Sequence, residues 1–166
     1  MRLARLAAGG LLAAVLAGCA SAPGPRRAPP PVPDQMPELA AFSAHLNGQQ
    51  AVPTNDSRAQ GELVAVLNRN TGLLRWKLTF SGLSGPVRGG SFHSPGMSGE
   101  IAPPVVSLGR TVQSPSEGRA MLTARQRADL LTGQWYVNLP TARYPDGELR
   151  GPLIEQGHAR GHRFAM

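Results

Sequence analysis

The sequence predicts an all-β fold, an antiparallel, Greek-key-like β-sandwich or barrel of about seven short strands with one short helix. A signal peptide and a Pro-rich tether are expected to precede it. Apolar and polar residues alternate with period two in several short runs, as half-buried strands require. Gly and Pro punctuate the chain heavily, at 20 and 16 of 166 residues, which favours turns between short elements over long helices. One stretch alone carries both helix-start and helix-stop signals.

The N-terminal segment reads as an export signal. Arg2 and Arg5 give a positive start, and Leu11 to Leu16 form an apolar run too short to stay in a bilayer as a spanning helix. The run ends in Leu16-Ala17-Gly18-Cys19, which resembles a bacterial lipobox. Small residues at 17 and 18 let a peptidase reach the backbone, and the Cys19 thiol is expected to carry a diacylglycerol. The resemblance implies a further acyl chain, such as palmitate, on the new amino terminus. Several chains hold far more firmly than one, since each buried methylene contributes about 0.8 kcal/mol. Cys19 is the sole cysteine, so no internal disulfide is available. Ala20 follows it, and by analogy with lipoprotein sorting an Asp there would favour the inner membrane. The expectation is a lipid-anchored protein of the cell envelope, at the outer membrane, on its periplasmic or surface face.

Residues 20–37 read ASAPGPRRAPPPVPDQMP. They offer almost nothing to bury, and their prolines favour extended polyproline II at about 3.1 Å per residue. The expected organisation is a signal peptide at 1–18, the lipidated Cys and Pro-rich linker at 19–38, a β domain at 39–156 and a flexible basic tail at 157–166.

Within the domain, Phe42, Ala44 and Leu46 alternate with Ser43, His45 and Asn47, predicting a first strand. Glu62 to Leu67 forms a second run, leading into the Asn68-to-Gly72 turn cluster. Leu74, Trp76, Leu78 and Phe80 then alternate with Arg75, Lys77 and Thr79, the cleanest strand pattern in the chain, and the two runs read as a hairpin. Val87 to His93 and Val105 to Leu108 are weaker strands, and Gln134 to Leu139 and Glu148 to Ile154 complete the set. Thr123 as N-cap, Gln126 as capping-box partner and Gly133 as terminator bracket the helix, with Ala124, Ala128, Leu130 and Leu131 expected to face the sheets.

Charge argues against nucleic acid as a partner. The chain carries 17 basic and 10 acidic residues for a net +7. Without Arg2 and Arg5 this becomes 15 − 10 = +5. The basic residues are scattered arginines with Lys77 the single lysine, whereas nucleic-acid binders concentrate charge on one face. Scattered charge suits a solvated surface with modest attraction to anionic lipid or glycan.

Several motifs, in order, resemble those of the chordin-type (CHRD) domain family. Leu46-Asn47-Gly48-Gln49-Gln50-Ala51-Val52-Pro53 is similar to its opening pattern, and Leu78 to Leu83 to its next landmark. Leu122-Thr123, Leu130 and Gly133 to Asn138 match its helix-to-strand passage. Tyr144-Pro145-Asp146-Gly147-Glu148-Leu149-Arg150-Gly151 matches its closing signature. The resemblance runs from about Ala41 to Leu153 and implies an all-β domain of extracellular and bacterial surface proteins. In the animal protein that names the family, such domains accompany growth-factor-binding modules, a role that does not carry over on fold alone. The chain departs from the family where a histidine trio is common. Two of those places are Ser91 and Pro140, and the acidic residue of the opening motif is Ala51. Only His93 of the trio remains, and tight zinc or copper sites generally need three or four protein ligands.

No metal and no cofactor are therefore expected, with His93 a weak metal candidate beside Met97 or Glu100. His158 and His162 are four apart, but each follows a glycine, Gly157 and Gly161, a poor context for a helical pair, so a loose surface tail is expected. Glu148 and Arg150 are two apart, so on a regular strand they share a face. A structural ion pair is the preferred reading, with a ligand contact by Arg150 as the alternative. Trp135 and Tyr136 should point to opposite faces, one into the core and one available for recognition. No catalytic residues are expected: no G-x-S-x-G elbow is present, and Ser81 and Ser98 lack a base and an orienting group. No phosphate loop precedes a helix.

The leading expectation is a non-enzymatic envelope lipoprotein that binds a protein or glycan partner. A metal-binding or redox domain with a degenerate histidine site is the rival, and a purely structural envelope component is a third reading.

Overall fold

The chain divides into two units, Met1–Gln35 and Met36–Met166. The computed structural model describes residues 38–97 and 99–157, all in the second unit. Cys19, the export segment, the tether up to Pro37, Ser98, His158 and His162 lie outside the described residues.

The strands are β1 (Leu39–Asn47), β2 (Gln60–Asn68), β3 (Leu73–Ser81), β4 (Val87–His93), β5 (Pro104–Val112), β6 (Ser116–Met121), β7 (Tyr136–Leu139), β8 (Leu149–Pro152) and β9 (Ile154–Glu155). A 3-10 turn covers Gly48–Gln50, and the helix α1 spans Ala124–Leu131. All the strands join one antiparallel sheet in the order β5-β4-β7-β8-β1-β2-β3-β6, with β9 also on β1. The end strands β5 and β6 approach each other, so the sheet is nearly closed into a barrel.

The period-two patterns become the barrel's inner face. Ala40, Phe42, Ala44 and Leu46 of β1 point inward beside Leu63, Ala65 and Leu67 of β2 and Leu74, Trp76 and Leu78 of β3, all buried. Burying apolar surface here supplies the main favourable term, at about 25 cal/mol per Å². Phe92 of β4 sits edge-on to Trp76 at 5.2 Å between ring centroids, and tilted against Trp135 at 5.7 Å. These rings fix β3, β4 and the approach to β7 around one aromatic centre.

Thr123 caps α1 as its sequence predicts. Its hydroxyl accepts the Gln126 N–H, and the Gln126 side-chain oxygen accepts the Thr123 N–H. Gly133, at φ +76°, ends the helix in a Schellman arrangement. Its N–H donates to Leu130 O, and Gln134 N–H donates to Asp129 O. The buried face of the helix is a correction. Leu130 is buried and Leu131 packs against the core as expected, but Ala124 and Ala128 are exposed and Asp129 is buried instead. A helix of barely two turns meets the core here through its last turn.

The strand set is richer than the sequence predicts. β6 lies outside the expected set, because Ser116 to Met121 carries mainly small and charged residues. Such an edge strand needs little apolar content to pair with β3. The expected Glu148-to-Ile154 strand is broken into β8 and β9. Their pairings on β1, Asn47 with Arg150 and Ser43 with Ile154, keep one register. The break is therefore a gap in the ladder rather than a slip, since Pro152 brings no N–H. Gly151 is required at this crossing: a Cβ there would strike the His45 carbonyl of β1.

Candidate functional site

Neighbouring strands β4, β7 and β8 place alternate residues on the outer side of the barrel wall. Ser91 pairs with Asn138, His93 with Tyr136, and Asn138 with Arg150. The inward partners Phe92, Trp135, Val137 and Leu139 belong to the core. Residues 94–97 and 99–103 fold back over this outer face. Ser94 N–H donates to Pro103 O at 3.2 Å, and Gly96 N–H donates to Gln134 O at 3.0 Å.

Tyr136 anchors that cover. Its hydroxyl accepts the Ala102 N–H at 2.8 Å and donates to Ala102 O at 3.3 Å. The His93 ring stacks on Tyr136 with centroids 4.9 Å apart and an interplanar angle of 8°. The Arg150 guanidinium lies over the same tyrosine, 3.6 Å from its centroid, a cation–π contact in a desolvated setting.

His93 holds a defined tautomer. A carbonyl can only accept, so Nδ1 carries the proton and donates to Ala102 O at 2.7 Å, while Nε2 accepts the Ser91 hydroxyl at 2.8 Å. Burial pushes its pKa below the ordinary 6.5, and the positive charge of Arg150 acts in the same direction against the Ala102 hydrogen bond. Neutral imidazole is favoured. Its candidate companions do not join it. The Glu100 carboxylate accepts the Met97 N–H at 2.9 Å, and the Met97 residue is exposed. Among the described residues, no three His, Cys, Asp or Glu side chains gather around a common point.

The expected Glu148–Arg150 ion pair is absent, and geometry gives the reason. Glu148 precedes β8, after Gly147 at φ +138°, so the alternation of a regular strand does not reach it. A Cβ at 147 would strike the Asn138 amide, so a side chain there would be both strained and blocked. Glu148 turns instead into a cage of donors. Its Oε1 accepts Ser57 Oγ–H at 2.7 Å and Ser84 N–H at 3.0 Å. Its Oε2 accepts Ser84 Oγ–H at 2.6 Å and Thr141 Oγ1–H at 2.7 Å. Burial raises the carboxyl pKa, yet these hydrogen bonds together outweigh it and leave the group below its ordinary value. Glu148 is a fully satisfied buried anion.

Arg150 goes the other way. Its Nη2 donates to Glu100 O at 2.6 Å and Met97 O at 3.3 Å, tying the covering chain to β8. Burial lowers its pKa from the ordinary arginine value.

Trp135 and Tyr136 do face opposite sides, but neither is exposed: they are 0% and 4% accessible. The expected recognition residue is covered by Gly96 and Ala102. The Trp135 indole N–H has no hydrogen-bond partner among the described residues, at a cost of about 1–3 kcal/mol.

Beside this stack opens a cleft of about 230 Å³. His93, Tyr136 and Arg150 line it together with Asn138, Asp146, Val52, Pro53 and Ile101. Asn138 Nδ2 donates to Asp146 O at 2.9 Å, fixing the turn at its edge. Sequence reasoning found His93, Tyr136 and Arg150 singly but not their meeting. It missed Asn138 and Asp146 as cleft residues, and Ser57, Ser84 and Thr141 as partners of Glu148. Ser57 lies 91 positions from Glu148 and Ser84 lies 64, and no local pattern links residues so far apart.

A family model described as CHRD domain matches residues 42–153, more than half of the chain. No curated protein and no solved structure matches.

Proposed function

The chain belongs to the CHRD domain family, and from that premise we propose that it is a lipid-anchored envelope protein whose β domain binds another envelope component without catalysing a reaction. The observation that carries this reading is the cleft over β4, β7 and β8. It combines a buried cation, a stacked tyrosine and an apolar rim of Val52, Pro53 and Ile101, the mixture of oriented polar groups and apolar contact that small binding sites use. Its one imidazole has both ring nitrogens engaged within the protein, which leaves it poorly placed as a proton shuttle or metal ligand. The lipobox-like Leu16-to-Cys19 segment and the proline-rich stretch after it support anchoring at a distance from the bilayer.

Proximity labelling in cells tests the binding reading. The full chain fused to a labelling enzyme is compared with a version lacking residues 39–156. A neighbour enriched only by the full chain is expected; equal neighbour sets would remove the binding role. Metabolic labelling with a palmitate analogue tests the anchor, and Cys19→Ser should abolish incorporation. Persisting incorporation in that variant would place the lipid elsewhere or overturn the anchor.

A further inference from the structure

Resting on that binding reading, we propose that the Arg150 cleft captures a carboxylate carried next to an apolar group, as at the free C-terminal end of an apolar peptide. Arg150 is 4% exposed. Yet among the described residues no carboxylate forms an ion pair with it within 4.0 Å. Arginine carries five N–H donors in a planar fork. Those of Nη2 are taken by the Met97 and Glu100 carbonyls. Those of Nε and Nη1 have no hydrogen-bond partner among the described residues, and neither atom is buried without access.

A cation withdrawn from water without a counter-charge is costly. Carbonyl dipoles and the Tyr136 face offset part of that cost, and an arriving anion would offset the rest through charge-assisted hydrogen bonds. The structure holds such a cation in the wall of an open cleft, which is the arrangement an anion receptor needs.

The surroundings select the kind of anion. Burial and the neighbouring Arg150 charge favour neutral His93 against its Nδ1–H bond to Ala102 O, so it adds no second positive charge. Asp146 lines the same cleft and repels an incoming ligand of high negative charge. A lining with one arginine and one aspartate suits a monoanion and disfavours a phosphate dianion. Ile101, 80% exposed, stands with Val52 and Pro53 beside the cation, giving an apolar group next to the carboxylate a surface to cover. At about 230 Å³ the cleft fits the end of a chain rather than its length.

The test is a titration of the isotopically labelled full chain, followed by amide chemical shifts. The probes are acetyl-Val-Ile with a free C-terminus, its C-terminal amide, isovalerate and inorganic phosphate. The free acid should shift residues around the cleft and bind at least about tenfold tighter than the amide, the worth of one charge-assisted contact. Asp146→Asn should tighten the acid by about threefold through loss of repulsion, and Ile101→Ser should weaken it; both variants keep Arg150 and the chain it holds. Arg150→Lys should lose about tenfold, because an ammonium lacks the planar fork. Isovalerate binding as well as the dipeptide would assign the cleft to small acids, and dipeptide binding alone would assign it to peptide ends; either supports the proposal. Equal binding of acid and amide, phosphate binding as strong as the acid, or no shift around the cleft would each overturn it. If those results come with a neighbour still enriched by labelling, the cleft assignment falls while the binding reading stands. Acid binding with no enriched neighbour would instead uphold the cleft assignment and remove the envelope partner.

Discussion

Glu148 shows how one residue carries both a fold constraint and a pH dependence. The residue is 1% exposed, and its carboxylate is held by Ser57, Ser84 and Thr141. In Glu148→Gln the new amide must turn donors toward donors, so a loss of about 3 kcal/mol is expected in urea unfolding. The acid response follows from linkage. Glu148 has a folded pKa below its ordinary 4.5, so between those values the unfolded chain binds more protons and stability rises with pH. Its contribution is present above about pH 4.5 and lost as pH falls through the folded value. His93, a base with a folded pKa below 6.5, gives the same sign in a higher window. The native ring resists the proton that the unfolded ring accepts, so stability begins to fall as pH drops below about 6.5. Urea midpoints from pH 8 to pH 3 should therefore decline in two stages, and Glu148→Gln should flatten the lower one alone. An unchanged lower stage in that variant would assign it to other carboxyls.

At the scale of elements, the helix shows local chemistry acting as written. Thr123 and Gln126 close a capping box and Gly133 terminates the helix, all within a span whose hydrogen bonds are local. Thr123→Ala should cost about 1 kcal/mol, read as a lowered thermal midpoint with the native far-UV spectrum kept; no change would mean that tertiary packing alone holds the helix start. Strands were legible in proportion to how far burial on one side shaped their sequence. β1, β2 and β3 alternate cleanly because each has one face in the core. β6 escaped because an edge strand can pair by backbone alone, and β8 and β9 merged because side-chain pattern does not register a missing proline donor. The site was legible as residues rather than as an arrangement. The closing motif singled out Glu148 and Arg150, and the helix-to-strand passage singled out Tyr136. Strand spacing then wrongly joined the first two, because the turn at Gly147 breaks the alternation one residue before β8 begins.

Across the whole molecule, chain order and sheet order diverge, and stability should follow the sheet. Of the last strands, β8 lies between β7 and β1 and β9 pairs with β1, so the end of the domain closes onto its beginning. Arg69 also pairs with Glu155 across that seam. A chain ending at Gly147 loses the strip that joins the β4–β5–β7 half to the β1–β2–β3–β6 half. It should lose its sharp urea transition, and amide exchange in β1 should become fast. A transition as steep as that of the full chain would mean that the β1–β2–β3–β6 half is a folding unit by itself. Pairings so distant in sequence must wait for the whole chain, which places the cost of loop closure ahead of the packing that repays it.

The sequence by itself determined the all-β class, the helix with both its ends, the inward faces of β1, β2 and β3, and membership in a family through motifs spread along most of the domain. Those features rest on interactions between near neighbours, or on a burial pattern that repeats along one strand. Only the tertiary structure decided that the sheet curls almost to a barrel and that Tyr136 is covered rather than displayed. It also decided that Glu148 and Arg150 part company, one into a hydroxyl cage and the other over a tyrosine at the wall of a cleft. These outcomes depend on partners far away in sequence, 91 positions for Ser57 and Glu148. A side chain's direction after a left-handed glycine, and the donors it meets there, are set by how distant strands close around it.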